Sequence, residues 1–375
     1  MQIGVIGAGI FGLAAALELR GRGHEVAVFD QGGVPCERAS STDVSKIIRR
    51  TNYPEQTYVE LVERAAHQWR IWHERLSQSI YFRTGLLTIL PDVERDSPLY
   101  RTWERLEEKE DGTRPLSIEE AQDRFPQFTL RPRDTLFEDP WTGYLRSGQA
   151  IADLATLARA EGVQIHAETP IRDLQESGEV RLVGESDSWT FDRAVVAAGA
   201  WTVRLLPQLG KHLRITRQQM AFFAPADPEP FTLGTFPIWS VLSADEAWYG
   251  FPLLQEGYVK IADDLKVEEA DPDVDRDPTE KFLDAVQRFV ADRIPALANA
   301  ELVGGRSCLY TNTPDNHFVI DWVPGSQNLL IAGCGCGHGF KFGGSIGPVI
   351  ADALEERHNA LGDLFRLGGR FAESE

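Results

Sequence analysis

The sequence predicts an α/β chain (α+β in its two-domain layout): one domain built on a parallel βαβ unit and discontinuous in sequence, the other on an antiparallel sheet. Three observations carry this. The first thirty residues read as strand, glycine turn, helix, strand. Residues 216–265 alternate in strand fashion and are rich in proline and aromatics. The closing stretch returns to buried strands and one apolar helix, so parallel-type segments at both ends enclose an antiparallel block. The expected division is 1–84, 143–216 and 300–375 for the first domain, with 85–142 and 217–299 for the second. A chain of 375 residues is long enough for two such cores.

The N-terminal unit is "QIGVIGAGIFGLAAALELRGRGHEVAVFD". After the apolar run Ile3 to Ile6, Gly7 makes the tight turn. Gly9 lets a pyrophosphate approach the backbone, and Gly12 lets the helix lie close on the strand. The helix N-terminus offers free N–H groups and a positive dipole end to phosphate. A second apolar run ends in Asp30, placed to accept hydrogen bonds from a ribose. In register, these features make the domain Rossmann-like and dinucleotide-binding.

Further elements follow in order. Tyr58, Leu61, Ala65, Trp69, Trp72 and Leu76 share one face of a helix expected from Pro54 to about Ser77. "GLLTILP" reads as a strand and Ser117 to Glu120 as a capping box. Ser147 is expected to cap a helix, followed by strands at "VQIHAE", "EVRLVG" and "RAVVAAGAW". That last strand ends in Ala198-Gly199, where backbone can lie beside a cofactor, which favours a flavin over a nicotinamide. Beyond the antiparallel block, "DPTEKFLDAVQRFVADRIP" is a helix with Pro278 expected in its first turn. Strands at "ELVGGRSCLYT", "HFVIDWV" and "NLLIAG" precede a final helix around "GPVIADALEER".

Composition excludes several classes. A formal charge of −19 argues against nucleic acid or an anionic membrane as partner. No apolar run is long enough to span a membrane. The apolar N-terminus lacks a basic leader and reads better as strand and helix. Four cysteines (Cys36, Cys308, Cys334, Cys336) are too few for a disulfide framework, which points to a reducing, cytoplasmic setting. Cys334, Cys336 and His338 fit zinc-ligand spacing poorly, so no metal is expected.

"SCLYTNTPDNHFVIDWVPGSQNLLIAGCGCGHGFKF", together with "KIIRR" and "WYGFP", resembles the monomeric sarcosine oxidase and N-methyltryptophan oxidase family, flavoenzymes of the D-amino-acid-oxidase-like superfamily. The resemblance covers essentially the whole chain. It implies FAD attached covalently through Cys308, with Tyr310 and Tyr249 on the substrate side. It places Gly337, His338, Gly339 and Phe340 at the cofactor, with Ile10, Phe11, Ser41, Thr42, Lys46 and Ile171. Lys341 and Arg49 would hold a substrate carboxylate, and Lys260 would be the cation that promotes oxygen reduction. The chain departs from the pattern at Asp264, where a histidine is usual, and at Lys46 and Thr42, where arginine and histidine are. An acid in the pocket favours a cationic or hydroxyl-rich substrate. The implied reaction is oxidation of an N-alkyl amino acid, a secondary amine, by molecular oxygen in a monomeric enzyme. "KIADD" and "STDVSKIIR" also resemble fructosyl amino acid oxidases, the deglycating branch. A third possibility is a dinucleotide-binding protein that does not turn over.

Overall fold

The first strand, Gln2–Ile6, lies inside a six-stranded sheet of order Val319–Trp322, Leu329–Gly333, Arg193–Val196, Gln2–Ile6, Glu25–Phe29, Gln164–His166. The computed structural model describes residues 1–76, 79–368 and 370–371. Every pairing in this sheet is parallel except that of the edge strand Val319–Trp322. Alternation explains its unbroken apolar runs, because each face meets its own layer. Ile3, Val5 and Val28 pack toward the helices Ile10–Gly21 and Gly343–Leu354. Ile6, Ala27 and Phe29 face Val180, Leu182 and Phe191 of a three-stranded meander.

The second layer system is an eight-stranded sheet of order Glu301–Asn312, Arg214–Ala224, Val259–Asp263, Ala247–Leu253, Ile238–Leu242, Leu86–Pro91, Asp134–Asp139, Arg114–Leu116. Its pairings are antiparallel apart from that between Ile238–Leu242 and Leu86–Pro91. Helix Glu280–Arg293 covers one face through Phe282, Val286, Phe289 and Val290. The long strand Glu301–Asn312 pairs with Arg214–Ala224 from Glu301 to Asn312, and so carries Cys308 and Tyr310 on this sheet.

A small sheet, Lys46–Ile48 with Gly143–Leu145 and Tyr81–Arg83, presents the segment that ends in Arg49. Arg50 anchors that segment. Its buried guanidinium meets Asp111 at 2.5 Å and Asp139 at 3.3 Å and lies over the Trp141 ring at 4.8 Å.

Element boundaries differ locally from expectation. The first long helix runs Gln56–Arg75, and Ser77 lies outside the described residues. Ser147 does not cap its helix: Arg146 takes the cap position and the Ser147 hydroxyl donates to the Asp43 carbonyl. Pro278 precedes the helix, which Thr279 caps by accepting from the Phe282 N–H. Ser117 caps as expected, but Glu120 turns its carboxylate to Arg114 rather than back to the cap. Among the described residues no helix is long and apolar enough to cross a membrane.

Candidate active site

The glycine turn builds a cradle at the carboxyl end of the parallel strands. Gly7 adopts φ +103° and donates to the Phe29 carbonyl at 2.7 Å. A Cβ on Gly12 would stand 1.9 Å from the Gly7 carbonyl oxygen, so only glycine lets this helix approach. The Asp30 carboxylate accepts from the Ala8 N–H at 2.8 Å and the Gly32 N–H at 3.0 Å. Burial raises its pKa against these two bonds. The first helical N–H, of Ile10, donates to the Ser41 hydroxyl at 3.0 Å. Gly12→Ala is expected to destabilise the fold by about 3 kcal/mol and to lower the cofactor content of purified protein. A urea midpoint and a flavin-to-protein absorbance ratio check this.

A cavity of about 400 Å³ lies along the turn. Gly7, Gly9, Ile10, Phe11, Asp30 and Ser41 line its near end, with Ile171, Ala198 and Gly199 beside them. Lys46, Tyr310, Gly337, Gly339 and Phe340 line it as well.

A second cavity, about 420 Å³, shares Lys46, Tyr310, Cys336, Gly337 and Phe340 with the first, so the two adjoin through a common wall. Gly337, at φ +81°, makes that wall thin: a Cβ there would stand 2.2 Å from the Tyr310 ring. Arg49, Lys341, Asp264, Tyr249 and His338 line the second cavity only. The Lys341 ammonium donates to the Tyr53 hydroxyl at 2.8 Å and the His338 carbonyl at 2.9 Å. Burial, then the nearby Arg49 charge, pulls its pKa well below the usual lysine range. The Arg49 guanidinium has no hydrogen-bond or ion-pair partner among the described residues. The Asp264 carboxylate likewise stands in the cavity wall without such a partner, near the phenols of Tyr249 and Tyr310. Burial and Asp264 push the Tyr249 phenol well up, and burial with Tyr249 does the same to Tyr310. His338 is held neutral, chiefly by burial and then by Lys341; its Nε2 lies 3.1 Å from the Asn316 carbonyl and its Nδ1 has no partner.

Lys260 lines neither cavity. It is buried beneath Lys46, where its ammonium donates to Asp43 Oδ2 at 2.5 Å and to the Ser45 carbonyl at 2.8 Å. Lys46 reaches the same carboxylate oxygen at 3.2 Å. One buried anion thus serves two ammoniums. Burial brings Lys260 down to about 8 in spite of Asp43, while Asp43 is held far below the usual carboxylate range by Lys260 and Lys46. Cys308 is also off both cavity walls, packed with Met220, Ala262 and Tyr310 close to Lys46. The Thr42 hydroxyl is buried without a partner. Asp43 and Tyr53 were not singled out by sequence. Asp43, three positions before Lys46 in "TDVSKIIR", was the available signal; nothing local marked Tyr53.

A glycine-lined dinucleotide cradle that shares one wall with a second cavity carrying Arg49 and Lys341 is the layout of a dinucleotide-dependent redox enzyme. The chain belongs to the FAD-dependent oxidoreductase family, whose model matches residues 2–353. It is 29% identical over 355 residues to a monomeric sarcosine oxidase of Bacillus sp. (strain B-0618), covering 92% of this chain and 90% of that one. It is 26% identical over 362 residues to an N-methyl-L-tryptophan oxidase of Salmonella heidelberg (strain SL476), covering 93% of each. In fold it is similar to the deglycating fructosamine oxidase of Aspergillus fumigatus (Amadoriase II) with a TM-score of 0.82 and 24% identity, over 97% of this chain and 89% of that one. NikD, an unusual amino acid oxidase essential for nikkomycin biosynthesis, gives a TM-score of 0.82 at 22% identity, over 96% and 94%.

The residues present fit FAD. A Cβ on Gly199 or Gly333 would meet nothing within 4 Å, and both glycines line the cradle, which marks space kept open along the backbone. Asp30 lines the same cavity and would accept hydrogen bonds from a ribose there, and Lys46 brings a cation to the wall between the cavities.

Proposed function

We propose that the chain oxidises the secondary amine of an N-substituted amino acid, giving the amino acid, an aldehyde and hydrogen peroxide with dioxygen as acceptor. FAD, when bound, supplies the two-electron acceptor that dioxygen re-oxidises. The observation that carries the reading is the pairing of an unpartnered Arg49 with Lys341 in one cavity wall. Lys341 spends hydrogen bonds on Tyr53 and His338, which fixes it as a point charge. Arg49 keeps its fork of donors for a carboxylate. Held there, the substrate has its amine toward the wall shared with the cradle. Arg49 and Lys341, of like charge with an ammonium, favour the amine's neutral form, the form that can give up a hydride, and Asp264 on the same wall opposes them.

Asp264 supports a second reading, a fructosyl amino acid as substrate. Its free carboxylate shares the cavity wall with Asn52, Ser240 and Asn316, a set suited to hydroxyl groups. We propose further that the flavin is joined to Cys308, since the next two residues, Leu309 and Tyr310, line the cradle itself.

A peroxide-coupled screen of purified protein with sarcosine, other N-methyl amino acids, pipecolate, proline and fructosyl-valine tests the reading. Turnover of N-methyl amino acids is expected; turnover of the sugar adduct alone transfers the assignment to the second reading. Acid precipitation tests the linkage: a yellow pellet is expected, and a yellow supernatant over a white pellet refutes it.

A further inference from the structure

The cofactor cavity is closed on one side by a residue that neither nucleotide motif accounts for. Trp201 lines that cavity two positions after Gly199. Two guanidiniums stand near its indole ring, Arg38 at 5.4 Å and Arg276 at 5.8 Å from the centroid. The indole N–H donates to Asp273 Oδ1 at 2.9 Å, and the same oxygen accepts from Arg38 at 3.3 Å. Arg276 donates to the Arg38 carbonyl at 3.3 Å and 3.4 Å, which locks the two cationic layers together. Arg204, one turn beyond Trp201 and also on the cavity wall, pairs with Asp271 at 2.6 Å.

Three segments distant in sequence therefore meet on one ring. Residues 36–41 come from the nucleotide unit, 201–204 follow the Ala-Gly turn, and 271–277 belong to the loop between Val259–Asp263 and helix Glu280–Arg293. The loop is braced from within, since Asp271 accepts from the Asp273 N–H at 2.9 Å and Asp275 from the Asp277 N–H at 2.8 Å. The Arg38–Asp273 pair cannot be the main tie, because its side chains are 45% and 57% exposed and solvent screens them. The indole is where the three segments meet, through Arg38, Arg276 and Asp273, and the two guanidiniums near its ring are in cation–π range.

We propose that Trp201, clamped by Arg38 and Arg276 and tied to Asp273, is a retention element for FAD that joins the antiparallel domain to the cofactor cavity. It acts before any covalent bond forms, by slowing escape of the dinucleotide. The inference rests on FAD as the cofactor and is independent of the substrate.

The test uses full-length Cys308→Ser protein, so that binding is reversible, and follows the rise of flavin fluorescence as FAD leaves. Trp201→Ala is expected to release FAD about tenfold faster than this parent, and Trp201→Phe, which keeps a ring for the guanidiniums to contact, less than half of that increase. Asp273→Ala should quicken release several-fold and diminish its salt dependence. Thermal melts of the apoproteins identify any variant that fails to fold, in which case Trp201→Phe and Asp273→Ala decide. Release rates of all three within twofold of the parent overturn the clamp alone. A parent that binds no FAD at all overturns the cofactor reading, and the clamp with it.

Discussion

Arg49→Met is expected to lower kcat/KM by about a thousandfold on any substrate with an α-carboxylate, with the larger share in KM. The figure corresponds to about 4 kcal/mol, within the range for truncating one member of a desolvated, hydrogen-bonded charge pair. The reason lies in how the two cations are spent. Lys341 is already tied to Tyr53 and to the His338 carbonyl, so it cannot rotate to replace a missing fork. Arg49 alone has its donors free, and Arg50, buried among Asp111, Thr113 and Asp139, holds the backbone that aims it. Arg49→Lys should recover only part of the loss, since a point charge cannot make the two parallel bonds. Removing Arg49 also relieves its pressure on Lys341, whose pKa should rise, so the acidity of the free enzyme's profile should shift upward in the variant. Steady-state kinetics across pH, with a substrate ester as control, check this. An ester that loses as much as the acid would show that Arg49 does not bind the carboxylate.

The sequence announced the cradle more fully than the substrate cavity, for a physical reason. Gly7, Gly12 and Asp30 act through local backbone geometry, and a turn, a close helix and a strand end are written in adjacent residues. The cavity depends on contacts between elements far apart in the chain. Lys341 meets Tyr53 across 288 positions and Lys260 meets Asp43 across 217. Spacing along the chain carries no trace of such meetings. The resemblance to a known family named Arg49, Lys341 and Tyr249, and the structure gathers these three with Tyr310 and Asp264 around one cavity. It could not announce Asp43, because an acid before a lysine in a polar stretch reads as solvated until the fold buries both. The helix ends show the same limit: Ser147 has a capping residue's chemistry, yet its hydroxyl goes to the Asp43 carbonyl because the loop before strand Lys46–Ile48 arrives from elsewhere.

The stability difference between the wild type and Lys260→Met is expected to change in the wild type's favour as pH rises from about 8 to 9.5. In the folded protein burial brings the Lys260 ammonium down to about 8, whereas in the unfolded chain it titrates near 10.5. Between those values the unfolded chain binds more protons, so raising the pH favours the folded state, by up to ~1.4 kcal/mol per unit. Lys341, whose pKa is also lowered, adds to the rise, while the buried thiols of Cys334 and Cys336 and folded tyrosines such as Tyr144 and Tyr258, raised to about 12, oppose it because their unfolded counterparts ionise first; all of these are common to the wild type and the Lys260 variant. Lys46 does not supply the same slope, because Asp43 and the nearby Cys308 outweigh burial and raise its pKa. Asp43 acts at the opposite end: its pKa is depressed, so its contribution is present above the usual carboxylate range and is lost only in strong acid. Asp43→Asn therefore should cost about 3–5 kcal/mol at neutral pH, since it leaves two ammoniums in a buried site with no anion. It should also drive Lys260 neutral and move the rising limb of the stability profile to lower pH. Urea unfolding of the wild type, Lys260→Met and Asp43→Asn over this range reads all three effects. A Lys260→Met profile parallel to the wild type from pH 8 to 9.5 would mean that Lys260 does not titrate there, and that the buried carboxylate holds both ammoniums charged throughout.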